Sequence, residues 1–252
     1  MTKIIAFVNQ KGGVGKTTSC LNIGAALTRK GKRVLLIDAD PQGNLTISAG
    51  VNLQNDEPTI YEVLKGTTEI NSAIQSNPGS YDIIPADIVL SGAEIELSSV
   101  PGRELILKES IGQLKTAYDY ILIDCPPTLT LLTLNALAAS NEIVIPLVAE
   151  VLPFKGLKTI NDFIGIVRIE LNPAAHLTGV LVTRWESTKL SRQIEEGLRE
   201  QLGNLIFQTK IRKNIRAAEA PLQSQSIAEY DPKSKAAQDY NAFVDELLAV
   251  LK

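Results

Sequence analysis

Three clusters in this 252-residue sequence carry side chains suited to chemistry on a phosphate chain. The first is Lys11-Gly12-Gly13-Val14-Gly15-Lys16-Thr17-Thr18. Glycines let a backbone turn tightly and aim several N–H groups into one hollow, and a helix behind them adds the positive end of its dipole. In such a loop Lys16 reaches the β- and γ-phosphates and Thr17 puts its hydroxyl on Mg²⁺. The second cluster, Asp38-Ala39-Asp40-Pro41-Gln42, sets two carboxylates two residues apart. The third is Asp124, which closes the apolar run 120–123. Mg²⁺ takes one or two carboxylates beside phosphate oxygens, and Asp124 with Thr17 meets that need. The plainer reading of all three aspartates is as caps of the turns that follow them. One departure stands out. The pattern G-x-x-x-x-G-K-[ST] begins with glycine where this chain has Gln10, and a second lysine, Lys11, follows it. The charge of Lys11 must sit beside the phosphates or an equally acidic partner.

These residues need a scaffold, and the periodicity supplies one. Ile4-Ile5-Ala6-Phe7-Val8 reads as a buried strand. Cys20, Ile23, Gly24 and Leu27 then fall on one helical face, with Gly31 as the C-cap. Further strands are expected at 33–38, 81–84, 119–124, 142–147, 177–182 and 205–207. Helices are expected at 88–97, 103–118, 129–140, 154–171 and 190–202. Near-continuous apolar strands alternating with helices predict an α/β fold, a doubly wound, mostly parallel sheet with helices on both faces. Ligands bind such sheets beyond the strand C-termini. Residues 9–16, 38–41 and 124–127 all fall at those ends, so they can converge.

Composition narrows the class. Apolar residues make up 44 % and charged residues 21 %, which fits a soluble globular chain with room for one large domain. The net charge of −3 means that nucleic-acid binding must come from a local basic patch. Cys20 and Cys125 have no C-x-x-C or histidine-rich setting, which argues against zinc and fits a reducing cytosol. His176 stands alone near a strand start and reads as structural. There is no signal segment and no apolar run of about 18 residues.

K-G-G-V-G-K-T-T resembles the deviant Walker A box of the ParA/MinD family of ATPases. The resemblance makes Lys11 the signature lysine, reaching across a nucleotide-sandwich homodimer to the partner's ATP, and Lys16 the ordinary loop lysine. Asp38-Ala39-Asp40-Pro41-Gln42 resembles the family's D-x-D-P-Q box. By that likeness Asp38 joins Thr17 and Asp124 around Mg²⁺, and Asp40 orients or deprotonates the attacking water. Asp124-Cys125-Pro126-Pro127 is similar to the second switch of the family, with Cys125 buried and inert. Pro146–Glu150 followed by Gly156-Leu157 resembles the P-x-x-x-E…G-L segment, with Val151-Leu152 in place of an aromatic pair. Residues 212–221 resemble P-R-N-[VI]-R-x-x-E-A-P, which implies an adenine contact through Asn214 and a DNA contact through Arg216. Arg212 stands at the position of the proline. Tyr230-Asp231-Pro232-Lys233-Ser234-Lys235 resembles Y-D-P-x-S-K, so the likeness spans nearly all of residues 1–252, read as a single P-loop ATPase domain.

Residues 184–216 are net basic within an acidic chain. Arg216, Arg212, Lys213, Lys189 and Arg192 are the candidates for contacting phosphates of nonspecific double-stranded DNA, with a salt-sensitive affinity. An ordinary solvated face is the plainer reading. The terminal helix sets Ala237, Tyr240, Phe243, Val244, Leu247, Leu248 and Leu251 on one stripe. A membrane-targeting helix of the MinD type would carry Lys or Arg opposite that stripe. Here Asp239, Asp245 and Glu246 stand there, so docking on the core is expected. The sequence starts directly at the first strand, so no operator-binding arm is expected. Taken together, the resemblance implies a cytoplasmic, nucleoid-associated, ParA-type ATPase using ATP and Mg²⁺. Its weak hydrolysis would be stimulated by a ParB-like or adaptor partner, and it would move a DNA or protein cargo. A MinD-like membrane cycle is the alternative. A metabolic P-loop ligase of the dethiobiotin synthetase type is the third reading, and Lys11 speaks against it.

Overall fold

The computed structural model describes residues 2–54, 56–76, 80–150 and 153–252. Six strands form the sheet: β1 (Lys3–Phe7), β2 (Val34–Asp38), β3 (Asp82–Ile84), β4 (Tyr120–Asp124), β5 (Glu142–Val148) and β6 (His176–Thr183). Their order is β3-β2-β4-β1-β5-β6, and each of these pairings is parallel. Every residue of β2 and of β4 is buried, as a sheet covered on both faces requires.

Eleven α-helical segments are described. They are α1 (Lys16–Arg29), α2 (Asn44–Ser48), α3 (Ile60–Lys65), α4 (Ala93–Glu96), α5 (Ile106–Ile111), α6 (Leu131–Ala139), α7 (Pro153–Glu170), α8 (Lys189–Leu202), α9 (Arg216–Glu219), α10 (Ile227–Tyr230) and α11 (Lys235–Val250). The period of two along each strand sorts them into layers. Ile5, Phe7, Leu36, Leu122, Val144 and Leu181 pack with α1 and α11 on one face. The alternating residues Ala6, Leu35, Ile37, Ile121, Ile123 and Ile143 pack with α3, α5, α6 and α7 on the other. Gly24 makes the first layer possible, since a Cβ there would lie 2.7 Å from Leu36 Cδ2. A glycine inside a helix costs about 1 kcal/mol relative to alanine. Here it lets α1 lie close against the sheet that aims it.

Three expected elements differ. No seventh strand forms at 205–207. Ile206 makes one isolated parallel bridge to Val180, and the N–H groups of Gln208 and Thr209 turn to the Glu246 carboxylate on α11 instead of extending a ladder. The helix expected over 103–118 shrinks to α5, because Asn135 Oδ1 takes the Leu107 N–H at its start and Asn71 Oδ1 takes the Lys115 N–H beyond its end. The stretch 88–97 begins as a 3₁₀ turn, Ile88–Gly92, capped by Asp87, before α4.

The terminal helix α11 docks on the core. Tyr240, Phe243, Val244 and Leu247 are buried, and Phe243 meets Phe207 edge-on with ring centroids 4.8 Å apart. Its acids are not a free polar face: Asp239 is buried against Arg212, Asp245 pairs with Lys30, and Glu246 holds backbone N–H groups. Among the described residues no helix is long and apolar enough to cross a membrane.

Candidate active site

Strand register brings the three clusters together. Phe7 and Asp38 both stand opposite Asp124, so β1, β4 and β2 end side by side at the carboxyl edge. The loop between β1 and α1 is fastened from three directions. Asn9 donates through Nδ2 to Pro146 O at 2.7 Å and accepts from the Lys11 N–H at 3.0 Å. Thr183 Oγ1 lies 2.7 Å from Val14 O, and Arg184 Nη1 donates to Gly13 O at 3.2 Å. With those carbonyls held outward, the positive φ values of Gly13 (71°) and Gly15 (87°) turn the loop back into α1. Gly15 is the N-cap and has no side chain to offer, and the first turn carries no acid. The first-turn N–H groups therefore have no side-chain cap, and they suit an anion.

Lys16 is buried at the bottom of this loop, and its Nζ donates to Lys11 O at 3.4 Å. Burial lowers its pKa, while Asp124, Cys125 and Asp40 pull it back up. Asp124 is fully buried, and neither carboxylate oxygen finds a hydrogen-bond donor in good geometry. Burial, then the Asp38 charge, pushes its pKa well above the usual carboxylate range, with the nearby Thr17 hydroxyl and Lys16 opposing them. A bare carboxylate inside a protein is costly unless something cationic completes it. Two free oxygens beside a threonine hydroxyl at a phosphate loop fit Mg²⁺. Among the described residues no three His, Cys, Asp or Glu side chains converge as a metal site by themselves. Mg²⁺ draws much of its shell from phosphate and water.

Asp38 is different. Its carboxylate accepts from the Thr46 N–H (2.9 Å), Thr46 Oγ1 (2.7 Å) and the Asp40 N–H (3.2 Å). Burial outweighs these bonds, so its pKa is pushed up to about 6. Asp38 thereby sets the turn that presents Asp40. Asp40 accepts from the Gln42 N–H at 3.0 Å and lines a cleft of about 670 Å³, a volume suited to a nucleotide. Gly12, Gly13, Gly15, Lys16, Thr17 and Thr18 form one wall of the cleft. Residues 211–215, Ala217, Ala218 and Tyr240 form the other, so Asn214 does face the phosphate loop. Val14 is buried beneath the loop. Cys125 is buried too, and burial followed by the Asp124 charge pushes its thiol up, which leaves it unreactive.

Lys11 lies outside this arrangement. Its side chain is 59 % exposed and pairs with Glu150 just beyond β5. Val151 and Leu152, which follow Glu150, lie outside the described residues. The basic candidates do not form one free surface. Arg212 is committed to Asp239, Lys213 pairs with Glu186 at 2.5 Å and Arg216 with Glu219 at 2.8 Å. Arg192 donates to Ser187 Oγ at 2.9 Å, and Lys189 opens α8.

No motif in the sequence assigns Asn9, Thr183, Arg184 or Tyr240 to the site. Arg184 enters the sequence reading only as one charge of a basic stretch, yet it holds a left-handed backbone at φ 49° and reaches Gly13 O. Tyr240 looked like one more member of an apolar stripe, and only the docking of α11 brings it to the cleft.

Residues 2–177 match the family described as an AAA domain. Over 251 residues the chain is 42 % identical to the sporulation initiation inhibitor protein Soj of Bacillus subtilis, covering 99 % of each. It is 38 % identical over 251 residues to the chromosome partitioning protein ParA of Caulobacter vibrioides, covering 98 % of this chain and 94 % of that one. Among solved structures it superimposes with a TM-score of 0.87 on cobyrinic acid a,c-diamide synthase from Mycobacterium smegmatis with a bound ATP analogue and magnesium, at 36 % identity over 98 % of this chain and 95 % of that chain.

Proposed function

The chain belongs to the ParA/Soj family of chromosome-partitioning P-loop ATPases, and on that premise we propose that it is an ATP-gated dimer that carries a cargo over DNA. Residues 1–252 act as one ATPase domain. The observation that carries the nucleotide reading is the unpartnered, fully buried Asp124 carboxylate beside Thr17 and Lys16. Thr17 and Asp124 hold Mg²⁺, which when bound draws charge from the phosphate oxygens. Lys16 and the N–H groups of residues 12–18 cradle the β- and γ-phosphates, and the base lies toward Asn214. Asp38 supports the metal shell through the 38–46 turn, and Asp40 orients the attacking water. Intrinsic hydrolysis is slow, and a ParB-like or adaptor protein stimulates it by completing the arrangement around the water and the phosphates.

Lys11 is the dimer residue. Its exposure and its weak surface pairing with Glu150 leave it free to exchange that partner for the γ-phosphate of a second subunit's ATP. Two subunits joined this way would align Arg216, Lys213, Lys189 and Arg192 as a phosphate-reading surface on nucleoid DNA in the cytoplasm. Arg212 leaves that set, because Asp239 occupies it. A membrane cycle of the MinD type would need the stripe of α11 free, and that stripe is packed on α1 and the sheet.

Lys11→Ala is expected to keep ATP affinity and lose ATP-dependent dimers in sedimentation velocity, with DNA cosedimentation lost in parallel. Unchanged dimers would remove Lys11 from this role. Pelleting with liposomes rather than DNA would favour the membrane cycle.

A further inference from the structure

The second wall of the cleft is not part of the sheet, and its backbone is held in an unusual way. Beside β6, Phe207 and Ile211 donate their N–H groups to Val180 O and Val182 O and Lys213 donates to Trp185 O, while three N–H donors between them go to side chains of α11. Glu246 takes those of Gln208 (2.6 Å) and Thr209 (2.8 Å), and Asp239 takes that of Arg212 (2.9 Å). The two acids are seven residues apart, two helical turns on one face. Asp239 does more than Glu246. The Arg212 guanidinium returns to the same carboxylate through Nε (2.9 Å to Oδ2) and Nη2 (2.5 Å to Oδ1), in the fork geometry that charge-assisted pairs favour. Asp239 is buried, and Arg212 lines the cleft between Ile211 and Asn214. The next residue of the helix, Tyr240, lines the cleft as well, and its hydroxyl is 3.3 Å from Ser19 Oγ on α1. One turn of α11 thus joins the wall of the cleft to the helix behind the phosphate loop.

We propose that Asp239 is a positioning residue of the nucleotide site: by receiving both the backbone N–H and the guanidinium of Arg212, it sets residues 211–214 at the distance from the phosphate loop that the nucleotide needs. Glu246 anchors the same segment where it does not line the cleft, so its loss loosens the fold without moving that wall. The inference rests on the nucleotide reading above and extends it to a residue that touches no ligand.

ATP affinity of the full chain, measured with Mg²⁺ by calorimetry, and turnover at saturating ATP test it. Asp239→Ala is expected to weaken ATP binding roughly tenfold, the loss of a charge-assisted bond. Turnover at saturation should stay within about twofold, because the reacting groups are untouched. Asp239→Asn keeps an acceptor but loses the charge, and should weaken binding about threefold. Glu246→Gln should lower the melting temperature while ATP affinity stays within about twofold. Unchanged affinity in a folded Asp239 variant overturns the proposal. So does an equal loss in Glu246→Gln, or turnover that falls in step with affinity. If Asp239→Ala does not fold, Asp239→Asn decides alone. The unmutated protein is measured first: if it binds no ATP, the nucleotide reading fails rather than this one.

Discussion

Asp124 and Glu195 are both carboxylates shut away from water, and the fold treats them in opposite ways. Glu195, on α8, accepts from Arg199 Nε at 3.1 Å and from Lys210 Nζ at 2.7 Å, and Lys210 also lies 4.6 Å from the Trp185 ring centre. Burial pushes Glu195 up, but the two hydrogen-bonded cations outweigh it together, and its pKa ends below the usual range. Asp124 has no such company, and burial with the Asp38 charge drives its pKa well up. A charge that the fold has completed is scaffold, whereas a charge buried and left incomplete waits for something that is not protein. The same rule divides the basic residues: Arg199, Lys210 and Arg212 are spent within the fold, while Lys11 is held only by an exposed ion pair.

Substitution at each pole tests this contrast. Asp124→Asn should cut ATP hydrolysis roughly a thousandfold, the scale for losing a preorganised electrostatic group. The same change should raise the melting temperature of the nucleotide-free protein by roughly 5 °C, since an uncompensated charge disappears. A lower melting temperature would mean that Asp124 is scaffold after all. Glu195→Gln should do the reverse. Breaking a buried ion cluster costs about 3 kcal/mol, or roughly 8 °C in a chain of this size, while the hydrolysis rate holds. A drop in hydrolysis would join the two regions that the comparison separates.

Acidity gives a finer test. Asp38 has a folded pKa of about 6, raised above its unfolded value, so the folded state holds that proton more tightly. Its contribution therefore favours folding at low pH and is lost as the pH rises toward 6. Glu195 is shifted downward, so its contribution is present above the unfolded value and lost as the pH falls. Asp38→Asn should flatten the pH dependence of nucleotide-free stability by roughly 5 °C between pH 4.5 and 6.5 in thermal unfolding, and an unchanged curve would refute the assignment. The smallest effect belongs to Arg216, whose pair with Glu219 is half exposed. Arg216→Ala should weaken DNA binding only severalfold and lower the salt slope by about one, with ATP affinity unchanged. An unaltered slope would take Arg216 out of contact with phosphate.

Local signals carried much of the molecule. All six strands of the sheet are legible because each is a short, mainly apolar run, and β2, β3 and β4 are also stopped by aspartate or proline. The phosphate loop was legible because its glycines serve one backbone shape. Leu205-Ile206-Phe207 has the composition of a strand, yet the N–H groups that follow it are claimed by Glu246, far along the chain. Asp239 falls on the polar face of its helix in the sequence, and nothing local shows its partner, which lies 27 residues earlier at Arg212.

Sequence alone determined the parallel α/β architecture, the phosphate loop and the trio Asp38, Asp40 and Asp124, because spacing and periodicity act between near neighbours in the chain. Tertiary structure alone decided which charges were completed and which were left open. That choice depends on how far each side chain is removed from water and on what packs against it, and both are set only when distant segments meet.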